Sequence, residues 1–356
     1  MASNSFGTVF RMSTWGESHG PAIGVVIDGC PAGLAIRAEE VDAALARRRP
    51  GQPHTSPRNE PDSAQILSGV HDGYSTGAPI SILIWNKDVD SSSYEALKDL
   101  YKPGHAQYTY LQKYGRYDYR GGGRASARET ACRVAAGAIA KKLLSDAGVH
   151  TASWLSRLGG IQADGMAGED WGQLELFCPD KAVLPQWRAR LAELREAGDS
   201  VGGIVTATAW GLPAGWGDPV YEKLEAKLAA AMLSIPASKG FEIGEGFGAA
   251  DLTGTQHNDL FYSTESGVAL RSNHAGGTLG GISTGLPIKL RVPFKPTSSV
   301  RIPQETVSLE GEAALFATPA SARHDPCVAI RAVPVVDAML CLVLADCMLM
   351  ARCARA

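Results

Sequence analysis

The sequence predicts a mixed α/β chain organised as one domain over residues 1–356. Three observations predict it. β-branched runs bounded by turn residues alternate along the chain with segments of helical period. The 40 glycines and 20 prolines are spread as short breaks, which implies many ordered loops. No low-complexity linker and no repeat of about 20 to 50 residues divides the chain.

Taken in order, residues 24–28 (GVVID) and 80–85 (ISILIW) read as strands. Between them, residues 38–49 read as a helix, because Val41, Ala44, Leu45 and Arg48 recur at helical spacing until Pro50 stops the pattern. Residues 119–133 (YRGGGRASARETACR) are the stretch around which the rest of the chain is organised. Gly121, Gly122 and Gly123 leave bare backbone that takes φ > 0 and lets a ligand approach. Arg120, Arg124, Arg128 and Arg133 surround them. Ser126 and the apolar run from Val134 predict the start and body of a helix, with Arg124 and Arg128 sharing one face near its first turn. Free N–H groups and guanidinium forks at a helix start suit phosphate or carboxylate. Glycine runs usually only connect, and this one matches neither the phosphate-loop nor the dinucleotide spacing, so alone it says "anion" and no more. A strand at 204–210, a helix at 220–233, a strand at 288–292 and a long apolar helix at 335–350 complete the pass.

Composition narrows the function classes. Hydrophobic residues at 45% and charged residues at 20% are ordinary for a soluble globular protein. A net charge of -3 argues against nucleic acid, so the local basic clusters must serve something small. The N-terminus MASNSFG lacks the charged and apolar regions of a signal peptide. No window reaches the ~18 apolar residues of a membrane span. Seven cysteines at 30, 132, 178, 327, 341, 347 and 353 show no C-x-x-C spacing, which suits reduced thiols in a cytoplasm. The last three, six apart, scatter around the C-terminal helix, so no metal site is expected.

Polar residues too specific for turns collect in a few places. His19, beside Ser18 in GESHG, and His105 in PGHA each stand in a rigid frame of small residues, where an imidazole can give or take a proton. Arg47, Arg48 and Arg49 end a helix, offsetting its dipole or binding an anion. The stretches SNHAGGTLGG, KPTSS and RHDPC add a glycine-rich backbone, a Lys/Thr/Ser loop and a charged cluster.

The ordered series GESHG, RRRPG, KPGHA, YRGGGRASARET, SNHAGG, KPTSS and AIRAVP, over residues 6–352, resembles the chorismate synthase family. The resemblance implies a β-α-β sandwich with antiparallel sheets, assembled as a homotetramer in the cytoplasm. It implies a 1,4-anti elimination of phosphate and a proton from 5-enolpyruvylshikimate 3-phosphate, giving chorismate with reduced FMN and no net redox change. His19 is then expected to protonate the departing phosphate, His105 to stabilise the flavin near N1, and Asp325 to help N5 accept the proton. Flavin contacts carry over onto Arg124, Ala125, Ser126, Pro236, Ala237, Gly280, Lys295, Pro296, Thr297, Ser298, Ser299 and Arg323. Substrate or nicotinamide-nucleotide positions carry over onto Ser18, Arg48, His54, Lys102 and Arg128. The family also brings associations with NADP and FAD, and no appended reductase domain is present, so reduction through NADPH is expected from a separate flavin reductase.

Three departures stand out. Lys102 replaces the arginine of many relatives, a point charge in place of a fork. Pro236-Ala237 stands where Asn-Ala is common, so a backbone contact must replace an amide. The segment from Gly51 to Pro57 is one residue short, with His54 at a cation's position. Two rival classes stay open on the sequence alone: an FMN-dependent oxidoreductase acting on a small polyanion, and a non-catalytic phosphate binder.

Overall fold

The computed structural model describes residues 3–51, 55, 60–89, 95–265, 267–318 and 324–354. Two five-stranded antiparallel sheets enclose a helical layer. The first sheet contains β1 (Ser5–Phe6), β2 (Arg11–Gly16), β3 (Ala22–Asp28), β4 (Ala64–Ile66) and β5 (Ile80–Trp85), in the order β1-β2-β3-β5-β4. The second contains β6 (His150–Leu158), β7 (Ile161–Gln162), β8 (Gly203–Trp210), β9 (Glu242–Ile243) and β10 (Ile288–Phe294), in the order β9-β10-β8-β6-β7. The described helices of eight or more residues are α1 (Ala38–Arg48), α2 (Gln107–Tyr114), α3 (Thr130–Asp146), α4 (Leu184–Ala197), α5 (Leu224–Leu233) and α6 (Val328–Ala351).

Period-two patterning decides which face of the first sheet is inward. Ile80, Ile82 and Ile84 of β5 are buried, as are their neighbours Ile23, Val25 and Ile27 of β3, and this face meets α3. On the outer face Trp15 lies over Gly24, where a Cβ would collide with the indole. α6 covers β6 and β8 of the second sheet and packs on α3. The two helices approach closely at Gly137, where a Cβ would strike Ala338. That contact accounts for a glycine in a helix interior, a choice that costs about 1 kcal/mol relative to alanine.

The C-terminal helix begins at Val328, seven residues before the expected 335, and runs through Pro334. A proline there removes one backbone bond and costs roughly 3 kcal/mol. Burial of Ile330, Val333 and Val335, at about 1.5 to 3 kcal/mol each, exceeds it. By length and hydropathy α6 would pass for a membrane span, yet its most apolar window is 89% buried inside the protein. Its two buried acids are satisfied internally. Asp337 accepts from Lys141 Nζ at 3.0 Å and from the Thr151 hydroxyl at 2.7 Å. Asp346 Oδ1 accepts from the N–H groups of Thr8, Val9 and Phe10 at 3.1, 2.7 and 3.0 Å.

The other expected helix, 220–233, starts at Leu224 instead. Val220, straight after Pro219, is held at φ +64, which no helix accommodates.

Candidate active site

The expected single helix from Ser126 is replaced by two 3₁₀ turns, Gly123–Ala125 and Ala127–Glu129, ahead of α3. Ser126 between them is extended, φ -70 and ψ 143, and its hydroxyl accepts from Arg128 N–H. Arg124 and Arg128 therefore do not share a helix face. Arg124 turns back to β2, donating to Gly16 O at 3.1 Å and Thr14 Oγ1 at 2.8 Å. Arg128 turns the other way, to Asn86 Oδ1 at 2.8 Å and to the Asp62 carboxylate.

Gly121, Gly122 and Gly123 all have positive φ, and the turn they form runs between two imidazoles. A Cβ at Gly121 would collide with the His19 ring, and one at Gly122 would sit 3.0 Å from Cε1 and Nε2 of His105. Ser18 is buried behind His19, with its Oγ 2.9 Å from Nδ1 and within reach of the Arg120 and Gly121 carbonyls. A hydroxyl that donates to a carbonyl accepts from Nδ1–H, which directs the ring's other nitrogen elsewhere.

These groups border a cavity of about 450 Å³, a size that encloses a small-molecule ligand. Of the residues expected in the site, His19, His105, Asp325, Ala125, Ser126, Pro236, Ala237, Lys295, Thr297, Ser298, Ser299, Arg48, Lys102 and Arg128 line it. Arg124, Ser18 and Pro296 are not among its lining residues. Gly280 is apart from it, in the hairpin that joins Thr278–Leu279 to Ile282–Ser283. His54 and Arg323 lie outside the described residues.

Charge divides the cavity into two regions. Deep in it, Arg48 donates to Thr130 Oγ1 at 3.0 Å and to the carbonyl of Ala127, and it pairs with Asp62 at 3.5 Å. Arg128 pairs with the same carboxylate and lies 3.9 Å from Glu60. The two buried arginines thus already have buried counter-ions. Lys102 and Lys295 differ, since neither has a carboxylate partner among the described residues. Lys102 Nζ donates to Ser299 Oγ at 2.7 Å, and Lys295 Nζ lies 3.4 Å from Gly104 O. Burial, and then the Lys295 charge, push the Lys102 ammonium down to about 8. Burial, followed by the charges of Lys102 and Lys295, pushes His105 down to about 4. His105 is therefore neutral at pH 7.

Asp325 accepts from Arg331 Nη1 at 3.3 Å through Oδ2, while its buried Oδ1 has no partner among the described residues. A buried carboxylate oxygen without a donor is costly, and its persistence at a cavity wall marks a place for a proton or a ligand. Pro236-Ala237 is tied to the same wall, with Ala237 at φ +69 and its carbonyl accepting from Lys295 N–H at 2.9 Å. Residues with no role expected from the sequence also line the cavity: Arg331, Tyr117, Gln107, Lys98, Phe316 and Thr318. Only Arg331 carried a signal, its place in AIRAVP.

Comparison with known proteins addresses the whole chain. A family model described as chorismate synthase matches residues 10–349. A chorismate synthase of Protochlamydia amoebophila is 56% identical, covering 99% of both chains. One of Gluconacetobacter diazotrophicus is 51% identical, covering 97% of both. A crystal structure of chorismate synthase superposes with a TM-score of 0.76 at 31% identity, covering 97% of this chain and 93% of the other. The antiparallel sheets around a helical layer, and the motif series along the chain, therefore have one explanation: this chain belongs to the chorismate synthase family.

Proposed function

We propose a division of labour among the cavity residues for the reaction of this family. The chain is a lyase that removes phosphate and a proton from 5-enolpyruvylshikimate 3-phosphate by 1,4-anti elimination to give chorismate, and it uses reduced flavin. The observation that carries the assignment of residues is the glycine turn pressed between His19 and His105, in one cavity with two lysines without carboxylate partners among the described residues.

His19, in its doubly protonated form with Nδ1–H held by Ser18, donates the Nε2 proton to the departing phosphate and is left as the neutral Nδ1–H ring. Such a group contributes about 10² to 10⁴ in rate. Lys295, with the hydroxyls of Thr297, Ser298 and Ser299, supplies the positive, donor-rich wall that would hold the FMN phosphate, and Lys102 beside it adds a cation for the substrate. Arg48 and Arg128 reach the substrate's anionic groups by exchanging them for Asp62 and Glu60.

The residues present fit a flavin mononucleotide. Gly121 and Gly122 expose backbone with no Cβ in the way, His105 offers a neutral imidazole, and Ala125, Ser126, Pro236 and Ala237 complete a wall of small groups. We assign this wall to FMN, with Arg124, Pro296, Arg323 and Gly280 as its remaining contacts. When bound, the reduced flavin supplies electron density that eases C–O cleavage. Asp325, whose Oδ1 has no donor among the described residues, assists removal of the proton lost by the substrate. His54, with Arg48, belongs to a nicotinamide-nucleotide position, and reduction of the flavin with NADPH falls to a separate reductase.

Residues 1–356 work as one domain, a reading supported by a single core cluster that takes in both sheets and α1, α3, α5 and α6. The working form is a cytoplasmic homotetramer. Half-exposed Trp15 and Trp85 on the outer face of the first sheet support it, as does the exposed hairpin Phe261–Thr264 with Gly267–Leu270.

An anaerobic assay with 5-enolpyruvylshikimate 3-phosphate and chemically reduced FMN tests this reading through phosphate release and chorismate absorbance. Activity is expected with reduced FMN alone and not with oxidised FMN plus NADPH. Activity in the second mixture would give the flavin reduction to this chain, and silence in both would remove FMN.

A further inference from the structure

We propose that Tyr117 is a positioning residue for His105, fixing the ring in the tautomer that carries its proton on Nε2. The proposal rests on the reading that His105 faces the bound cofactor.

Tyr117 Oη lies 3.3 Å from His105 Nδ1, and the two rings meet edge to face with centroids 6.3 Å apart. The phenol is itself held in place. Its ring packs edge-on against Tyr110, at 5.8 Å, and Tyr110 against Tyr114, at 5.6 Å, both on α2. That helix begins two residues after His105, so the element that carries the brace behind the phenol follows directly on the imidazole. Against the Cε1–Nε2 edge of the ring stands Gly122, where an added Cβ would be 3.0 Å from Cε1 and Nε2 and 3.3 Å from Tyr117 Oη. The imidazole is thus fixed with Nδ1 toward the phenol and Nε2 along the glycine turn at the cavity.

A neutral imidazole has one donor nitrogen and one acceptor, and the bond made by one nitrogen decides the state of the other. His105 is neutral at pH 7, because burial and the charges of Lys102 and Lys295 push it down to about 4. A phenol O–H is a good donor and an imidazole nitrogen a good acceptor, so Tyr117 donates to Nδ1. The ring proton is then on Nε2, aimed at the cavity. Without the phenol the two tautomers are close in energy, and a share of the molecules would present a lone pair where a donor is needed. The consequence for chemistry is a neutral N–H donor that persists across the working pH range beside an anionic ligand.

The full-length chain, uniformly ¹⁵N-labelled and free of cofactor, gives a direct test. Long-range ¹H–¹⁵N spectra at pH 7, with His105→Gln to assign the ring, should show Nε2 protonated and Nδ1 bare in the wild type. Tyr117→Phe should shift both nitrogens toward averaged values while the His19 signals stay in place. A wild-type ring protonated on Nδ1, or a tautomer unchanged in Tyr117→Phe, would overturn the proposal. In the loaded enzyme, Tyr117→Phe should lower kcat on the order of tenfold, the loss of one buried hydrogen bond, with little change in KM. If His105→Gln leaves turnover unchanged while the tautomer responds to Tyr117→Phe, the role of His105 fails and the positioning by Tyr117 stands.

Discussion

At the scale of single residues, His19→Ala should cut turnover by roughly 10²- to 10⁴-fold while flavin binding, read by fluorescence quenching, persists. Unchanged turnover would take His19 out of the chemistry. Gly121→Ala is a sharper probe, since the residue has no reactive atom. Its φ of +60 and the His19 ring against it mean that one methyl group must displace the imidazole. Turnover should fall nearly as far as in His19→Ala, and full activity would show that the turn does not hold the ring.

Lys102 gives a pH prediction with a definite sign. Its ammonium titrates near 8, so the cation is present below that pH and lost above it. Inorganic phosphate should therefore bind more weakly as pH rises through about 8, and Lys102→Arg should flatten that limb. Arginine stays charged throughout, so a limb that survives the substitution belongs to another group. Much of this chemistry was legible in the sequence, because glycine-framed histidines and the KPTSS loop announce themselves locally. Tyr117 and Asp62 were not legible. Their meaning depends on His105, Arg48 and Arg128, partners that only the folded chain brings within reach.

At the scale of elements, strands with strict alternation were legible, and polar central strands were not. β5 is found at the expected 80–85 because Ile80, Ile82 and Ile84 repeat with period two. β6 carries Thr151, Ser153 and Ser156, which break the apolar signal although the strand is central to its sheet. Thr151 bonds Asp337, and Ser156 Oγ donates to Ile204 O at 3.1 Å, so burial of these two is tolerated for reasons that no window of sequence displays, while Ser153 Oγ has no partner among the described residues. The helix after the glycine turn starts late for a similar reason, since Ser126 spends its hydroxyl on Arg128 N–H and stays extended. Packing between elements is testable at Gly137. Gly137→Val should force α3 from α6 and lower stability by roughly 1 to 3 kcal/mol in chemical denaturation. Asp346→Ala should cost on the order of 1 to 3 kcal/mol, because three N–H groups lose their acceptor. A neutral result at either position would mean that the surrounding elements adjust freely.

At the scale of the whole molecule, a chain with net charge -3 concentrates cations around one cavity, which is how an acidic protein recognises a polyanion. The α/β class was legible from composition and periodicity. The sandwich came only with the family resemblance, since periodicity says which residues point inward and not which sheet they join. Sedimentation should give a species about four times the 37.5 kDa chain mass, and a monomer at working concentration would overturn the assembly.

Asp346 holds the N–H groups of Thr8, Val9 and Phe10 across 336 to 338 positions of sequence. During synthesis the first strands leave the ribosome long before their acceptor is translated. The opening loop can reach its final place only after α6 has emerged from the exit tunnel. A product cut short before position 346 is therefore left open at its beginning as well as its end, and quality-control proteases would meet an exposed edge in the first sheet.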